Sequence, residues 1–374
     1  MIKWTPELVK ELETLLEAGH TYREIANKMN ITYDAVKNAI SRYNLASKNN
    51  STKNEKHNYK VILPEVEKYL TSAKKVFDDS FDLYQKVKYK GKFSNIKQTE
   101  DLVLLWSDMH TGMVNKSPLT GKITYNIDIQ KDELIQLQRG LNRFYNLYKP
   151  SYNMETLYIF SLGDQITNDR IYEGQVFEIA ETVGNQIIRA TNYISDFIRW
   201  ALTIFPNVVY INICGNHGRS QKEIYDEPVS NNFEYLLGAL IKERFSNNRR
   251  VKVIIPNEYF YSISIRGHRY LLTHGHSIRG TTLNTIEKAA KEITLLLGQD
   301  FHEVITTGHF HSIHKLPIGP DATLLVNGCF IYQDNFAYTK LRKFSAAKQF
   351  LFNVSRKSAL HNLQEIDLRW NYGK

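Results

Sequence analysis

Five short apolar runs, 102–106, 157–162, 208–214, 270–273 and 304–307, each stop at a polar motif. The motifs are Ser107-Asp108-Met109-His110, Gly163-Asp164, Gly215-Asn216-His217, His274-Gly275-His276 and Gly308-His309-Phe310-His311. Short apolar runs bounded by turn residues read as buried strands. The motifs therefore fall at strand ends, and carboxylate, amide and imidazole groups gather along one edge of a sheet. Oxygen and nitrogen donors in that mixture suit a pair of divalent metals, and a metal pair suits phosphate ester chemistry.

Each motif offers donors in a definite way. In Asp108-Met109-His110, alternate side chains of an extended strand end point the same way and can reach one cation. Asp164 follows a glycine, which allows close backbone approach, and its two oxygens can bridge two metals. Asn216 supplies a carbonyl oxygen; His274, His309 and His311 supply imidazole nitrogens. Any one of these motifs occurs by chance, and a lone buried histidine is usually a hydrogen-bonded core residue. Five in order, each at a strand end, make a site. His276 would share a side with His274 in an extended segment and is the alternative ligand; His274 is favoured because the strand ends there.

Helical patterns alternate with the strands, over 128–147, 176–203, 229–245 and 281–297. Two sets of strands result, one in the first half and one around 251–273 and 303–330, and 349–354 with 362–368 can add a final hairpin. Cys214 and Cys329 each close a strand-like run and read as buried neutral thiols rather than a disulfide. The start, Met1-Ile2-Lys3-Trp4-Thr5-Pro6-Glu7, lacks an apolar signal region, and no segment reaches the ~18 apolar residues of a membrane span. A cytoplasmic protein with no membrane partner is expected.

Residues 1–45 read as a three-helix unit. Thr5 caps the first helix with Pro6 at its first position. Thr21-Tyr22-Arg23-Glu24 is a capping box that opens the second, and Thr32 caps a third from Tyr33 to about Tyr43. Ala35, Val36, Ala39 and Ile40 face inward. The arrangement resembles a helix-turn-helix of the homeodomain-like or resolvase-like kind. That resemblance places the third helix in the DNA major groove, with Tyr33, Asp34, Lys37, Asn38, Ser41 and Arg42 outward; a small bundle for protein contacts fits the same pattern. Residues 46–99 form a basic linker and a connecting helix at 64–84. From Lys37 to Lys60 there are six basic residues and one acid, Glu55, and from Gln85 to Gln98 five lysines and no acid.

The order Asp108-x-His110, Gly163-Asp164, Gly215-Asn216-His217, His274 and Gly308-His309-x-His311 resembles the calcineurin-like metallophosphoesterase superfamily over roughly 100–335. The resemblance implies a four-layer α/β/β/α sandwich, here over 100–374. It implies one divalent metal on Asp108, His110, Asp164 and His311, and another on Asp164, Asn216, His274 and His309. Manganese is the usual preference of the family's nucleases, with iron or zinc as alternatives. A metal-bridging hydroxide would attack phosphorus, and His217 would protonate the leaving alkoxide. Arg219 and Arg279, in loops after metal motifs, are candidates for a further substrate phosphate, although exposed loop arginines fit equally. One departure stands out. The acid that usually follows the Asn-His pair and orients the histidine is Gly218 here, which leaves that task open to Glu223, Asp226 or another group.

The superfamily's fold does not choose a substrate. A net charge of +9 favours a polyanion, and with the N-terminal unit it directs the reading to a DNA nuclease. The resemblance is nearest to break-repair exonucleases of the SbcD type and to phosphoesterases carried by bacteriophages; rich use of Lys, Asn, Ile and Tyr suits such an AT-rich genome. A small-molecule or protein phosphoesterase is the alternative, and a non-catalytic DNA-binding protein a third. DNA is the expected partner; a homo-oligomer or a partner ATPase stays open.

Overall fold

The computed structural model describes residues 4–43, 45, 98–221, 227–278, 280, 282–298, 301–318 and 320–370. The expected helix at 64–84, the lysine-rich stretch 86–92, Glu223, Asp226 and Arg279 lie outside them. The chain divides into two compact units, Met1–Phe93 and Ser94–Lys374.

The first unit contains α1 (Pro6–Glu17), α2 (Tyr22–Lys28) and α3 (Tyr33–Tyr43). Their starts obey the sequence signals: the Thr5 side chain accepts from Leu8 N, Thr21 and Glu24 form a reciprocal capping box, and Ala35 N donates to Thr32 Oγ1 at 3.3 Å. Asn30, at φ 51°, makes the turn between α2 and α3. Leu12, Ile25, Ala26, Val36, Ala39 and Ile40 form the core. Ala35, expected inward, is only half-buried, whereas Tyr33, Asp34, Lys37, Asn38, Ser41 and Arg42 are all exposed.

The second unit is a four-layer α/β/β/α sandwich. Its first sheet has the order β13-β12-β1-β4-β5-β6. These strands are β1 (Gln98–Trp106), β4 (Tyr152–Leu162), β5 (Asn207–Ile213), β6 (Val251–Ile254), β12 (Lys348–Val354) and β13 (His361–Asp367). The second sheet, β10-β11-β9-β8-β7, contains β7 (Phe260–Ile265), β8 (His268–Thr273), β9 (Val304–Thr307), β10 (His314–Pro317) and β11 (Thr323–Val326). A small β2–β3 ribbon (Asn115–Lys116, Ile123–Tyr125) stands apart.

Side-chain alternation along the strands builds the layers. Leu102, Leu104 and Trp106 of β1 pack with α4 (Ile127–Tyr148), α5 (Val183–Ala201) and α6 (Phe233–Arg244), through residues such as Leu137, Ile194 and Leu237. Val103 and Leu105 face the other way and join Tyr270, Leu272 and Leu325 of the second sheet. The outer face of that sheet, Leu271, Ile305 and Leu324, is covered by Ile286, Ala290 and Ile293 of α7 (Leu283–Leu296). Strands β1, β4, β5 and β6 run parallel, as do β8, β9 and β11. The motifs thus lie just past the carboxyl ends of parallel strands, where open α/β sheets build their sites.

Three details differ from the sequence reading. Segment 251–254 belongs to the first sheet, paired with Val208–Ile211. The helix expected from 176 starts at Val183, because Gln175–Glu178 forms a separate 3-10 turn entered through Gly174 in a left-handed conformation. The helix expected from 229 is a 3-10 turn at Val229–Asn231 and then α6, which Asn232 caps. The final hairpin exists as β12 and β13. Cys214 and Cys329 are buried free thiols. Among the described residues no helix is long and apolar enough to cross a membrane.

Candidate metal centre

Adjacent strands in register bring the motif loops together. Asp108 N donates to the Gly163 carbonyl at 3.0 Å and His110 N to the Asp164 carbonyl at 2.9 Å, which continues the β1–β4 pairing past the strand ends. His309 N donates to both Asp108 carboxylate oxygens, at 3.1 and 3.0 Å, and Gly308 N to the His274 carbonyl at 3.0 Å. The loops then turn sharply. Asp108, His110, Asp164, His309 and His311 all have positive φ, between 44° and 69°. Such a conformation is unusual for residues other than glycine and costs of order 1–3 kcal/mol where it is strained, so its concentration in one cluster marks a functional site.

The donors converge, although Asp108 and His110 stand in left-handed turns past Trp106 and not on the extended strand end expected of them. Asp108, His110 and His311 form one group able to hold a metal ion, Asp164, His274 and His309 another, and His110, Asp164 and His217 a third. His274 Nε2 lies 3.0 Å from Asp164 Oδ2 and 3.0 Å from Asn216 Oδ1. His311 Nε2 lies 3.3 Å from Asp108 Oδ1 and 3.2 Å from His110 Nε2, and His110 Nε2 is 4.0 Å from both Asp108 Oδ1 and Asp164 Oδ2. Ligands about 2.1 Å from a common ion sit roughly 3.0–3.4 Å apart, so most of these separations fit shared coordination. Asp164 belongs to two of these groups, one with His110 and His217 and one with His274 and His309. The set of carboxylates, imidazoles and an amide fits borderline or hard divalent cations.

Residues that no local motif reveals hold these donor side chains. His311 Nδ1 bonds Asp334 Oδ2 at 2.6 Å, a carboxylate–histidine pairing of the kind that fixes a metal ligand's tautomer. The Asp334 carboxylate also accepts the Phe336 and Ala337 N–H groups, both at 3.1 Å. Asn216 Nδ2 donates to the Tyr172 hydroxyl at 2.9 Å, which turns its carbonyl oxygen toward His274. Glu234, wholly buried, accepts N–H groups from the Asp164 and Gly215 loops.

The structure also answers what orients His217 beside Gly218. The Thr167 carbonyl accepts from His217 Nδ1 at 2.6 Å and from Gln175 Nε2 at 2.7 Å. Nδ1 therefore carries the proton, and Nε2 is the free nitrogen, 3.9 Å from Asp164 Oδ2. Gly218 has no room for a side chain: a Cβ there would lie 2.0 Å from Asn232 Oδ1 and 2.7 Å from Glu234 Cγ.

Charges inside the cluster divide the histidines. Burial lowers His274, but Asp164 and Asp108 outweigh it and push the group up to about 9. Burial is likewise overcome at His311, where Asp334 and Asp108 raise it to about 10. Burial dominates at His110 and His309, which lie well below the ordinary imidazole value, and His217 is lowered for the same reason. Burial raises Glu234 to about 7, with the Asp164 charge adding to it.

A cavity of about 240 Å³ adjoins the cluster. His110, Asp164, His217, His309 and His311 line it, with Tyr172, Gln175, Phe336 and the acids Glu173 and Glu178. Arg219 takes a different place from the expected substrate contact: it is 8% exposed, and its Nε donates to the Asn216 carbonyl at 3.1 Å, bracing the ligand loop. His276 belongs to none of the three donor groups and packs edge-on against Tyr259, ring centroids 5.0 Å apart.

No protein-family model matches the chain, and no curated protein does. Among solved structures, zinc-complexed Vps29 from Entamoeba histolytica is similar at 10% identity and a TM-score of 0.29, over 72% of this chain and 99% of that one. A predicted phosphoesterase from Streptococcus pneumoniae TIGR4 is similar at 8% identity and a TM-score of 0.29, over 71% and 97%. The sulfate thiohydrolase SoxB of Thermus thermophilus is similar at 10% identity and a TM-score of 0.30, over 73% and 57%. Likenesses this distant say nothing about chemistry, which the side chains must supply.

Proposed function

We propose that the Ser94–Lys374 unit is a dinuclear-metal phosphoesterase and that the whole chain acts as a DNA nuclease. The observation that carries the first part is the place of Asp164 between two donor groups, with Oδ2 3.0 Å from His274 Nε2 and 4.0 Å from His110 Nε2. Asp108, His110, Asp164 and His311 would hold one cation, and Asp164, Asn216, His274 and His309 the other. Two divalent cations supply Lewis acidity toward phosphoryl oxygens and a water of lowered pKa, Mn²⁺ being the first choice and iron or zinc the alternatives. The protein's own contribution is to place and dry the site. His217, anchored through Nδ1, presents Nε2 beside the cavity; Nε2 would first take up a proton from water and then pass it to the leaving oxygen as the ester bond breaks.

Support for DNA comes from charge and from the N-terminal unit. The chain carries a net +9, and α3 exposes Lys37, Asn38, Ser41 and Arg42 on one helix. Asn and Arg can read base edges, and Lys can neutralise phosphate. One observation favours a smaller substrate: the cavity of about 240 Å³ has Glu173 and Glu178 in its lining, which a polyanion would meet unfavourably. A small-molecule phosphoester is therefore the second reading.

The purified chain with Mn²⁺, tested on duplex DNA, single-stranded DNA, RNA and bis-p-nitrophenyl phosphate, separates the readings. The nuclease reading expects cleavage of DNA and of the small diester. A variant lacking residues 1–45 should keep small-diester hydrolysis and bind duplex DNA more weakly, with a shallower salt dependence. Hydrolysis of the small ester with no action on nucleic acid would transfer the assignment to the second reading. No hydrolysis of any ester by metal-loaded protein would overturn both.

A further inference from the structure

The first turn of α6 grips the Asn216 loop from three directions. Asn232 Nδ2 donates to the Gly215 carbonyl at 3.0 Å, Glu234 Oε2 accepts the Gly215 N–H at 2.7 Å, and Phe233 N donates to the Gly218 carbonyl at 2.7 Å. Glu234 then reaches across to the other ligand loop. Oε2 also accepts from Asp164 N at 3.1 Å, and Oε1 accepts from Gln165 N and from Ile166 N, the latter at 3.3 Å. One carboxylate thus satisfies four backbone donors drawn from the two segments that carry Asp164 and Asn216. The space it uses lies against Gly218, where a Cβ would come within 2.7 Å of Glu234 Cγ.

We infer that Glu234 is a positioning residue for the metal centre, tying the 164–166 and 215 backbones so that Asp164 and Asn216 present their oxygens to a common cation. The inference rests on the metal reading above. Both carboxylate oxygens are needed as acceptors, because each faces two N–H groups. An amide in place of either oxygen sets its own N–H groups against two donors, so Glu234→Gln removes half the tie at unchanged size. Asp164 would then be free to shift, and outer partners of metal ligands typically govern 10–100-fold in affinity.

The test is Mn²⁺ titration calorimetry on the full chain after chelator treatment, comparing wild type, Glu234→Gln, Glu234→Asp and Glu243→Gln. Glu243 lies exposed on the same helix and controls for the lost charge. Glu234→Gln should raise at least one Mn²⁺ dissociation constant tenfold or more, with wild-type far-UV circular dichroism of the metal-free protein. Glu234→Asp should give a smaller rise, and Glu243→Gln none. Folded Glu234→Gln with wild-type affinity would overturn the inference and leave Glu234 a stability residue. If Glu234→Gln does not fold, Glu234→Asp decides: it keeps both acceptor oxygens but is one methylene shorter, which lengthens its bonds to the two loops, and unchanged affinity would overturn the role. Wild-type protein that binds no Mn²⁺ would instead remove the metal reading, and this inference with it.

Discussion

Replacing Gly215 by alanine tests the ligand geometry with a single methyl group. Gly215 has an ordinary backbone conformation, so alanine introduces no φ penalty there. The new Cβ would stand 2.1 Å from Asp164 Oδ1, 2.4 Å from Asp164 N and 2.8 Å from Asp164 Cγ. Ordinary contact begins near 3.4 Å, so the carboxylate would have to move by about 1.3 Å. It cannot move cheaply. Its N–H is held by Glu234, its carbonyl by His110 N, and Oδ1 by His217 N at 2.9 Å. Overpacking of this kind costs typically about 1–3 kcal/mol, and metal sites tolerate displacements of only about 0.2 Å. A misplacement near 1 Å costs on the order of 10²-fold in rate. Gly215→Ala should therefore remain folded when metal-free, lose bound metal, and hydrolyse bis-p-nitrophenyl phosphate at least about 10²-fold more slowly. Metal analysis after desalting, thermal melting and initial rates in saturating Mn²⁺ read the three effects. Wild-type metal content and turnover in Gly215→Ala would refute the assignment of Asp164 as a shared ligand.

Other parts of the structure give three further outcomes. His217→Asn should keep its metal and lose on the order of 10²–10⁴-fold in turnover on an ester with a poor leaving group; loss of metal instead would make His217 a ligand, consistent with its place near His110 and Asp164. Gly218→Ala should destabilise the fold by about 1–3 kcal/mol in urea melts, since its Cβ would collide with the Asn232 cap of α6, and an unchanged midpoint would contradict that packing. Glu133 concerns stability against pH. Burial raises it to about 9, against the opposing charge of Arg369 at 3.8 Å, so the folded chain holds a proton there that the unfolded chain releases near 4.5. The folded state binds more protons between those values, and stability falls as pH rises through that window, by up to about 1.4 kcal/mol per pH unit. Glu133→Gln should remove that slope and melt higher than wild type by a margin that grows from pH 5 to pH 9; parallel curves would show that Glu133 is not protonated in the fold.

The strand ends and helix caps were legible because each has a local cause. An apolar run stops where Asp, Gly or His begins, and Thr5, Thr21 and Thr32 cap the three N-terminal helices. Sheet membership has no such local sign. Val251–Ile254 carries the composition of any buried strand, and only pairing with Val208–Ile211 places it in the first sheet. The start of α5 has no local sign either: the 3-10 turn before it is held by Gln175, whose side chain bonds the Ile171 and Tyr172 N–H groups and the Thr167 carbonyl. The left-handed backbones of Asp108, His110, Asp164, His309 and His311 leave no trace either, since no glycine stands at those positions. Glu234 sits two residues past an N-cap asparagine, where an acid ordinarily complements the helix dipole, and its bond to Asp164 spans 70 residues of sequence. Asp334 lies 23 residues from His311 in a loop with no metal-ligand motif.

Metal content of wild type and Asp164→Asn tests the central claim most directly. Full-length protein loaded with Mn²⁺ and desalted should carry two ions per chain by mass spectrometry. Asp164→Asn should weaken both, because its carboxylate stands between the two donor groups, and bis-p-nitrophenyl phosphate hydrolysis should fall with them. Two ions retained and unchanged hydrolysis in Asp164→Asn would contradict a dinuclear centre bridged at that residue.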